Sequence, residues 1–151
     1  MFDHIIVPVD LSEKNAVAVR TAADLARGEG GFVTLLHVVE TLDLPYEEVA
    51  EFYDRLEVRA AKRLEQIASP LADAGVEFEQ LVLFGDPAAE IIEFAAASSR
   101  SLIVLRSHRV EPDQPTEGWA TLSYKLAILA ETPILLVKQE RVVGDRAKET
   151  G

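Results

Sequence analysis

HIIVPVD, residues 4–10, decides the fold: a short apolar run that ends at the carboxylate of Asp10. Two further runs follow the same plan, VTLLHVV at 33–39 and LIVL at 102–105, the latter leading into RSHR at 106–109. Short apolar runs separated by helix-length segments are typical of buried strands in a parallel sheet. Because such sheets bind ligands at the carboxyl ends of their strands, this pattern predicts a site at Asp10 and residues 106–109.

The segments between these runs complete an α/β pattern. Helices are predicted after the N-cap Ser12, along an amphipathic stretch from Val49 to Leu71 that Ser69-Pro70 kinks or restarts, and over 88–98 and 118–130. A third strand covers 76–84 and a fifth covers 133–137. With right-handed crossovers, the five strands form a doubly wound parallel sheet of order 3-2-1-4-5. We expect one domain over residues 1–140 and a polar, disordered tail over 141–151.

The bulk composition excludes several classes of protein. The 151 residues carry 15 basic against 26 acidic side chains, a net charge of −11, which argues against nucleic-acid binding. No apolar run approaches the roughly 20 residues of a membrane span, and the first 25 residues do not resemble a signal peptide, so we predict a cytoplasmic protein without membrane contact. The absence of cysteine excludes disulfides, thiolate metal sites and thiol catalysis.

No pattern of catalytic residues emerges from the polar positions. Asp10 can accept a hydrogen bond from a ligand, or it can be an acid that interacts with the start of a helix. His4 and His37 lie on predicted strands and are interpreted as structural, whereas His108 lies in the predicted crevice without a catalytic or metal-binding partner at a recognisable spacing. Gly85-Asp86-Pro87 is interpreted as a turn that caps a helix. We therefore predict no enzyme and no metal site.

Taken in order, these pieces resemble the universal stress protein family over about residues 2–138. The features that carry the resemblance are HIIVPVD at 4–10, HVV at 37–39, GDP at 85–87, LIVLRSH at 102–108 and TPILLV at 132–137. The resemblance implies a Rossmann-like domain that serves in stress tolerance. It also supports a homodimer, which the uncovered apolar edge strand itself predicts, paired through Pro133, Ile134, Leu135, Leu136 and Val137.

Part of that family binds ATP or AMP through a glycine pattern, G-x2-G-x9-G-(S/T), after the fourth strand. In this chain Arg106 and Arg109 stand where the first two glycines belong, and the third falls near Gly118 or the Ala120-Thr121 pair. The resemblance implies a nucleotide pocket with a degenerate phosphate loop, with ATP or AMP as ligand and Mg²⁺ only if ATP is bound. Slow hydrolysis of bound ATP stays open beside the prediction of no enzyme. Its implied residues are Pro8, Val9, Asp10, Val38, Leu105, Arg106, Ser107, His108, Arg109, Gly118, Ala120, Thr121, Leu122 and Ser123.

Two interpretations of the arginines stay open at this point. They fill the phosphate channel, which leaves an interaction module that regulates a partner protein without nucleotide, or their guanidinium groups replace the lost backbone contacts and bind phosphate. We favour the second, because guanidinium groups beside Glu111, Asp113 and Glu117 are expected to stay solvated and mobile rather than buried.

Overall fold

A computed structural model describes residues 1–107 and 119–138. Its five strands form one sheet in the order β3-β2-β1-β4-β5, with every neighbouring pair parallel. The first and fourth strands pair side by side, with Ile6 opposite Ile103. The predicted doubly wound sheet and its strand order are therefore confirmed. The strands are β1 His4–Pro8, β2 Phe32–Glu40, β3 Phe78–Gly85, β4 Ser101–Arg106 and β5 Ile134–Val137.

Within the described residues, five α-helices connect these strands: α1 Ala16–Glu29, α2 Tyr46–Ile67, α3 Ser69–Asp73, α4 Pro87–Ala96 and α5 Trp119–Leu129. The long amphipathic segment ends at Ile67 and restarts as α3, because Pro70 has no N–H to continue the hydrogen bonds of α2. This is the restart that Ser69-Pro70 predicts.

Turn chemistry sets where the helices begin and end. The Ser12 hydroxyl accepts a hydrogen bond from the Lys14 N–H, although it caps a single 3-10 turn, Glu13–Asn15, that precedes α1. The Asp86 carboxylate accepts from the Ala89 N–H at 3.0 Å and so caps α4. Before it, Gly85 adopts a φ of 143°, a conformation that other residues rarely adopt. The interpretation of Gly85-Asp86-Pro87 as a capping turn is confirmed.

The core consists of two apolar layers, one on each face of the sheet. Because successive strand residues point to opposite faces, Ile5 and Val7 pack on the α1 side and Ile6 packs with Ile103 and Leu126 on the α4–α5 side. Fully burying one such side chain stabilises the folded state by about 1.5–3 kcal/mol.

His4 has hydrogen-bonding partners on two neighbouring elements. Its Nδ1 lies 3.0 Å from Ser98 Oγ and its Nε2 lies 2.7 Å from Thr34 Oγ1. The structural role predicted for His4 is confirmed. The predicted tail over 141–151 lies outside the described residues.

Candidate functional site

A cleft of about 240 Å³ opens at the carboxyl ends of β1 and β2. The two strand ends form its floor, and α4 and α5 supply the walls on one side. Most of the surface is apolar, and Asp10, His37 and Glu40 provide the ionisable side chains. The lining residues are Pro8, Val9, Asp10, Leu36, His37, Val38, Glu40, Pro87, Ile91 and Leu122. An apolar cleft with a few convergent polar groups is the usual form of a small-molecule site.

The Asp10 carboxylate is held by its own turn. Its Oδ1 accepts hydrogen bonds from the Ser12 N–H at 2.9 Å, from the Ser12 hydroxyl and from Asn15 Nδ2 at 2.9 Å. Asn15 is buried and also donates to the Asp10 carbonyl oxygen at 2.7 Å, which fastens the turn to the start of α1. Asp10 thus lines the cleft and holds the turn that leads into α1, as its interpretation as an acid at a helix start predicts, whereas its contact with a ligand stays a prediction.

Opposing effects act on the pKa of Asp10. Partial burial raises the pKa, but the hydrogen bonds from Ser12 and Asn15 and the positive charge of Arg106 outweigh it, so the pKa lies below its ordinary value of 3.8. The carboxylate is therefore ionised throughout the neutral range.

Arg106 corrects the expectation of a solvated guanidinium. Its Nη2 donates to Asp10 Oδ2 at 2.7 Å, and its side chain is only 7% exposed, against 33% for Asp10. Alternation along β4 puts Arg106 on the face of Leu102 and Val104, which pack with α1, whereas the cleft opens toward α4 and α5. The expectation that Arg106 is mobile and solvent-facing is therefore wrong: it joins the ends of β1 and β4 in a largely buried ion pair.

Ser107, the next residue, is directed toward β5. Its N–H donates to the Val137 carbonyl oxygen at 2.8 Å, and its Oγ accepts a hydrogen bond from Lys138 Nζ at 2.9 Å. The carboxyl ends of β4 and β5 are thereby tied together beside the Asp10–Arg106 pair.

The sequence was also compared with models of known protein families. Residues 1–138 match the sequence model of the universal stress protein family. The chain belongs to the universal stress protein family.

Two kinds of relative illustrate the similarity of this universal stress protein to others. It is 28% identical over 149 residues to universal stress protein YxiE of Bacillus subtilis (strain 168), covering 91% of this chain and 100% of YxiE. Its fold is similar to the universal stress protein from Archaeoglobus fulgidus in complex with dAMP, with a TM-score of 0.68, 21% identity and coverage of 91% and 98% of the two chains. It is also similar to a universal stress protein in complex with cAMP, with a TM-score of 0.67, 15% identity and coverage of 92% and 98%.

The structure brings five of the predicted site residues of this universal stress protein into one cleft: Pro8, Val9, Asp10, Val38 and Leu122. Leu105 lies fully buried in the core, and Ser123 lies on α5. Ala120 and Thr121 are described only as part of the α5 backbone, whereas His108, Arg109 and Gly118 lie outside the described residues. The role of each in binding a nucleotide stays a prediction.

Sequence reasoning missed half of the residues that line the cleft. Leu36, His37 and Glu40 come from β2, and Pro87 and Ile91 come from α4. His37 has the structural role predicted for it, since its Nδ1 lies 2.9 Å from the Val9 carbonyl oxygen, and it also lines the cleft. Proximity to Val38 was the available signal for the β2 residues, while the approach of α4 to the end of β1 has no local signature.

Within residues 1–107 and 119–138, no group of three or more His, Asp or Glu side chains is arranged to hold a metal ion. None of the helices in these ranges combines the length and apolar character needed to cross a membrane.

Proposed function

We propose that this universal stress protein binds an adenine nucleoside or nucleotide, ATP or AMP, in the cleft at the ends of β1 and β2, and that it acts as a non-enzymatic regulator in stress tolerance. One observation carries the proposal: a cleft lined by apolar residues and by Asp10, His37 and Glu40 opens at the strand ends of a doubly wound sheet. The dAMP and cAMP complexes of proteins with the same fold support this ligand class.

The β2 backbone supports recognition of the base. The Val9 N–H donates to the Leu36 carbonyl oxygen at 2.9 Å, after which the chain turns away from the sheet at Asp10. Because alternate residues of a strand present their peptide groups to the same neighbour, those of Val38 face the side on which β1 ends. A planar base between Val38 and the apolar wall of Ile91 and Leu122 would find backbone donors and acceptors at its edge.

Titration calorimetry of the full chain with adenosine, AMP and ATP, the last with and without Mg²⁺, tests the proposal. We expect saturable binding of one ligand per chain for AMP or ATP, because the cleft is preformed and largely apolar. A parallel thermal melt should show a rise in Tm that grows with ligand concentration. Neither heat nor a Tm shift with any of the three ligands at millimolar concentration would contradict the proposal.

A second candidate, a dimeric interaction module that regulates a partner protein without nucleotide, is favoured by the exposed edge of β5. Among residues 1–107 and 119–138 this strand ends the sheet, and Leu135 and Leu136 are each 37% exposed on it. An unpaired apolar edge is normally covered, and pairing with a symmetry-related copy covers it without forming fibres. The homodimer through residues 133–137 is compatible with either candidate, and ligand binding distinguishes the two.

Leu136→Glu should weaken this dimer by about tenfold or more, because two carboxylates then meet near a two-fold axis. Sedimentation equilibrium across a range of concentrations measures the change in dissociation constant. Leu44→Glu, which adds the same charge at an exposed leucine in the β2–α2 connection, is the control and should leave the dimer intact. A parent protein that sediments as a monomer at tens of micromolar would contradict the homodimer.

A further inference from the structure

Lys138 holds a position that the predicted glycine pattern does not include. It follows β5 directly and is exposed, with its Nζ 2.9 Å from Ser107 Oγ. Ser107 is fixed in turn by its backbone hydrogen bond to the Val137 carbonyl oxygen. A lysine ammonium and a serine hydroxyl are thereby held together where β4 and β5 end.

The charges on this edge of the sheet distinguish Lys138 from Arg106. Arg106 is almost fully buried, and the Asp10 carboxylate compensates its charge. The contact between Lys138 and Ser107 joins the ammonium to a neutral hydroxyl, so this contact leaves the positive charge uncompensated. An anion at the carboxyl ends of β4 and β5 therefore meets the positive charge of Lys138 in solvent. The guanidinium of Arg106, by contrast, is buried away from solvent.

Ser107 and Lys138 lie to one side of the cleft, along the carboxyl ends of the strands. Neighbouring strands lie about 4.8 Å apart, so β5 is about 10 Å from β1, on the far side of β4. A ligand whose base occupies the cleft beside Val38 would project its ribose and phosphates across the end of β4 toward Ser107 and Lys138.

We propose that Lys138, with Ser107, binds the phosphate groups of the ligand, in place of backbone contacts that the degenerate glycine pattern lacks. This role rests on the proposed function, and it identifies the residues that bind the negatively charged part of the ligand. The ammonium has three N–H donors, one of which is directed to Ser107 Oγ, so the others are available to phosphate oxygens. Because Ser107 Oγ accepts from Lys138, its own O–H is directed elsewhere and donates to the same phosphate.

The test compares three ligands that differ in charge: adenosine, AMP and ATP, each titrated into the parent and into Lys138→Ala. We expect unchanged adenosine affinity, a weakening of a few fold for AMP and a weakening of about tenfold for ATP, because a charge-assisted contact to phosphate is lost. Lys138→Arg should retain most of the ATP affinity. Lys62→Ala removes the same charge from an exposed position on α2 and should bind all three ligands as the parent does.

Each result distinguishes this inference from the proposed function. A parent that binds none of the three ligands contradicts the proposed function and, with it, the role of Lys138. If the parent binds ATP and Lys138→Ala binds it as tightly, the role of Lys138 is overturned and the proposed function is not. Equal losses for adenosine and ATP also overturn it, since they indicate an effect on the cleft rather than on phosphate. A loss confined to AMP and ATP, and restored by Lys138→Arg, supports it.

Discussion

Replacing Asp10 with Asn is expected to lower the free energy of unfolding by about 3 kcal/mol at neutral pH, because the largely buried guanidinium of Arg106 then loses its ion pair with the Asp10 carboxylate. This figure is the lower end of the range for breaking a buried ion pair, since the Asp10 side chain is 33% exposed. Three hydrogen bonds to Oδ1, from Ser12 and Asn15, are perturbed by the same change. Urea denaturation followed by circular dichroism measures the difference.

The effect of Asp10→Asn should depend on pH in a defined direction. The folded-state pKa of Asp10 is lower than its ordinary value of 3.8, so its ionisation stabilises the fold above that value. This stability is lost as the pH falls through the folded-state pKa, where the parent carboxyl becomes protonated as well. The difference between parent and variant should therefore be constant near neutrality and shrink in acid below pH 3.8.

Asp3→Asn is the matched control for this change. Asp3 pairs with Arg100 at 3.2 Å, but both side chains are mostly exposed, so breaking this pair should cost less than about 1 kcal/mol. Adding Arg106→Met to Asp10→Asn should recover part of the lost stability, because the buried charge is then removed together with its partner. Asp10→Asn no more destabilising than Asp3→Asn would contradict a structural role for the buried pair.

The ion pair between Asp10 and Arg106 also shows what could not be predicted from the sequence. The apolar runs at 4–9 and 102–105 placed β1 beside β4, because buried parallel strands and right-handed crossovers leave few topologies. That Arg106 is buried depends on a carboxylate 96 residues earlier in the chain and on which face of β4 it occupies. An arginine at the end of a strand is more often solvated, so its local sequence favoured the wrong environment.

The sequence likewise does not predict which residues of α4 line the cleft or which residue contacts Ser107. Val38 and Asp10 follow from the family pattern, since each is at or just beyond the end of a predicted strand. Ile91 reaches the cleft only because α4 packs against the end of the sheet, and Lys138 reaches Ser107 because β5 pairs with β4. Contacts between elements distant in sequence carry no periodic signal within either element, so composition and spacing do not predict them.

Val38→Trp is expected to abolish adenosine and AMP binding, with a loss of about 100-fold or more, equivalent to about 2.8 kcal/mol. Val38 lines the cleft and packs with the core layer on the α4–α5 side, so a bulky ring at this position occupies the space proposed for the base. Since Val38 is only partly buried, the new ring can extend into the cleft rather than into the core. Calorimetry with adenosine, supported by a thermal melt to verify folding, measures the effect.

Val58→Trp makes the same substitution on the exposed surface of α2, where Val58 is 58% exposed, and should leave both affinity and Tm close to those of the parent. Filling the cleft removes the site of the base, whereas Lys138→Ala removes only a contact to phosphate. Val38→Trp should therefore affect adenosine and ATP alike, while Lys138→Ala affects ATP and spares adenosine. Folded Val38→Trp protein that binds adenosine as tightly as the parent would place the ligand outside this cleft and refute the proposed site.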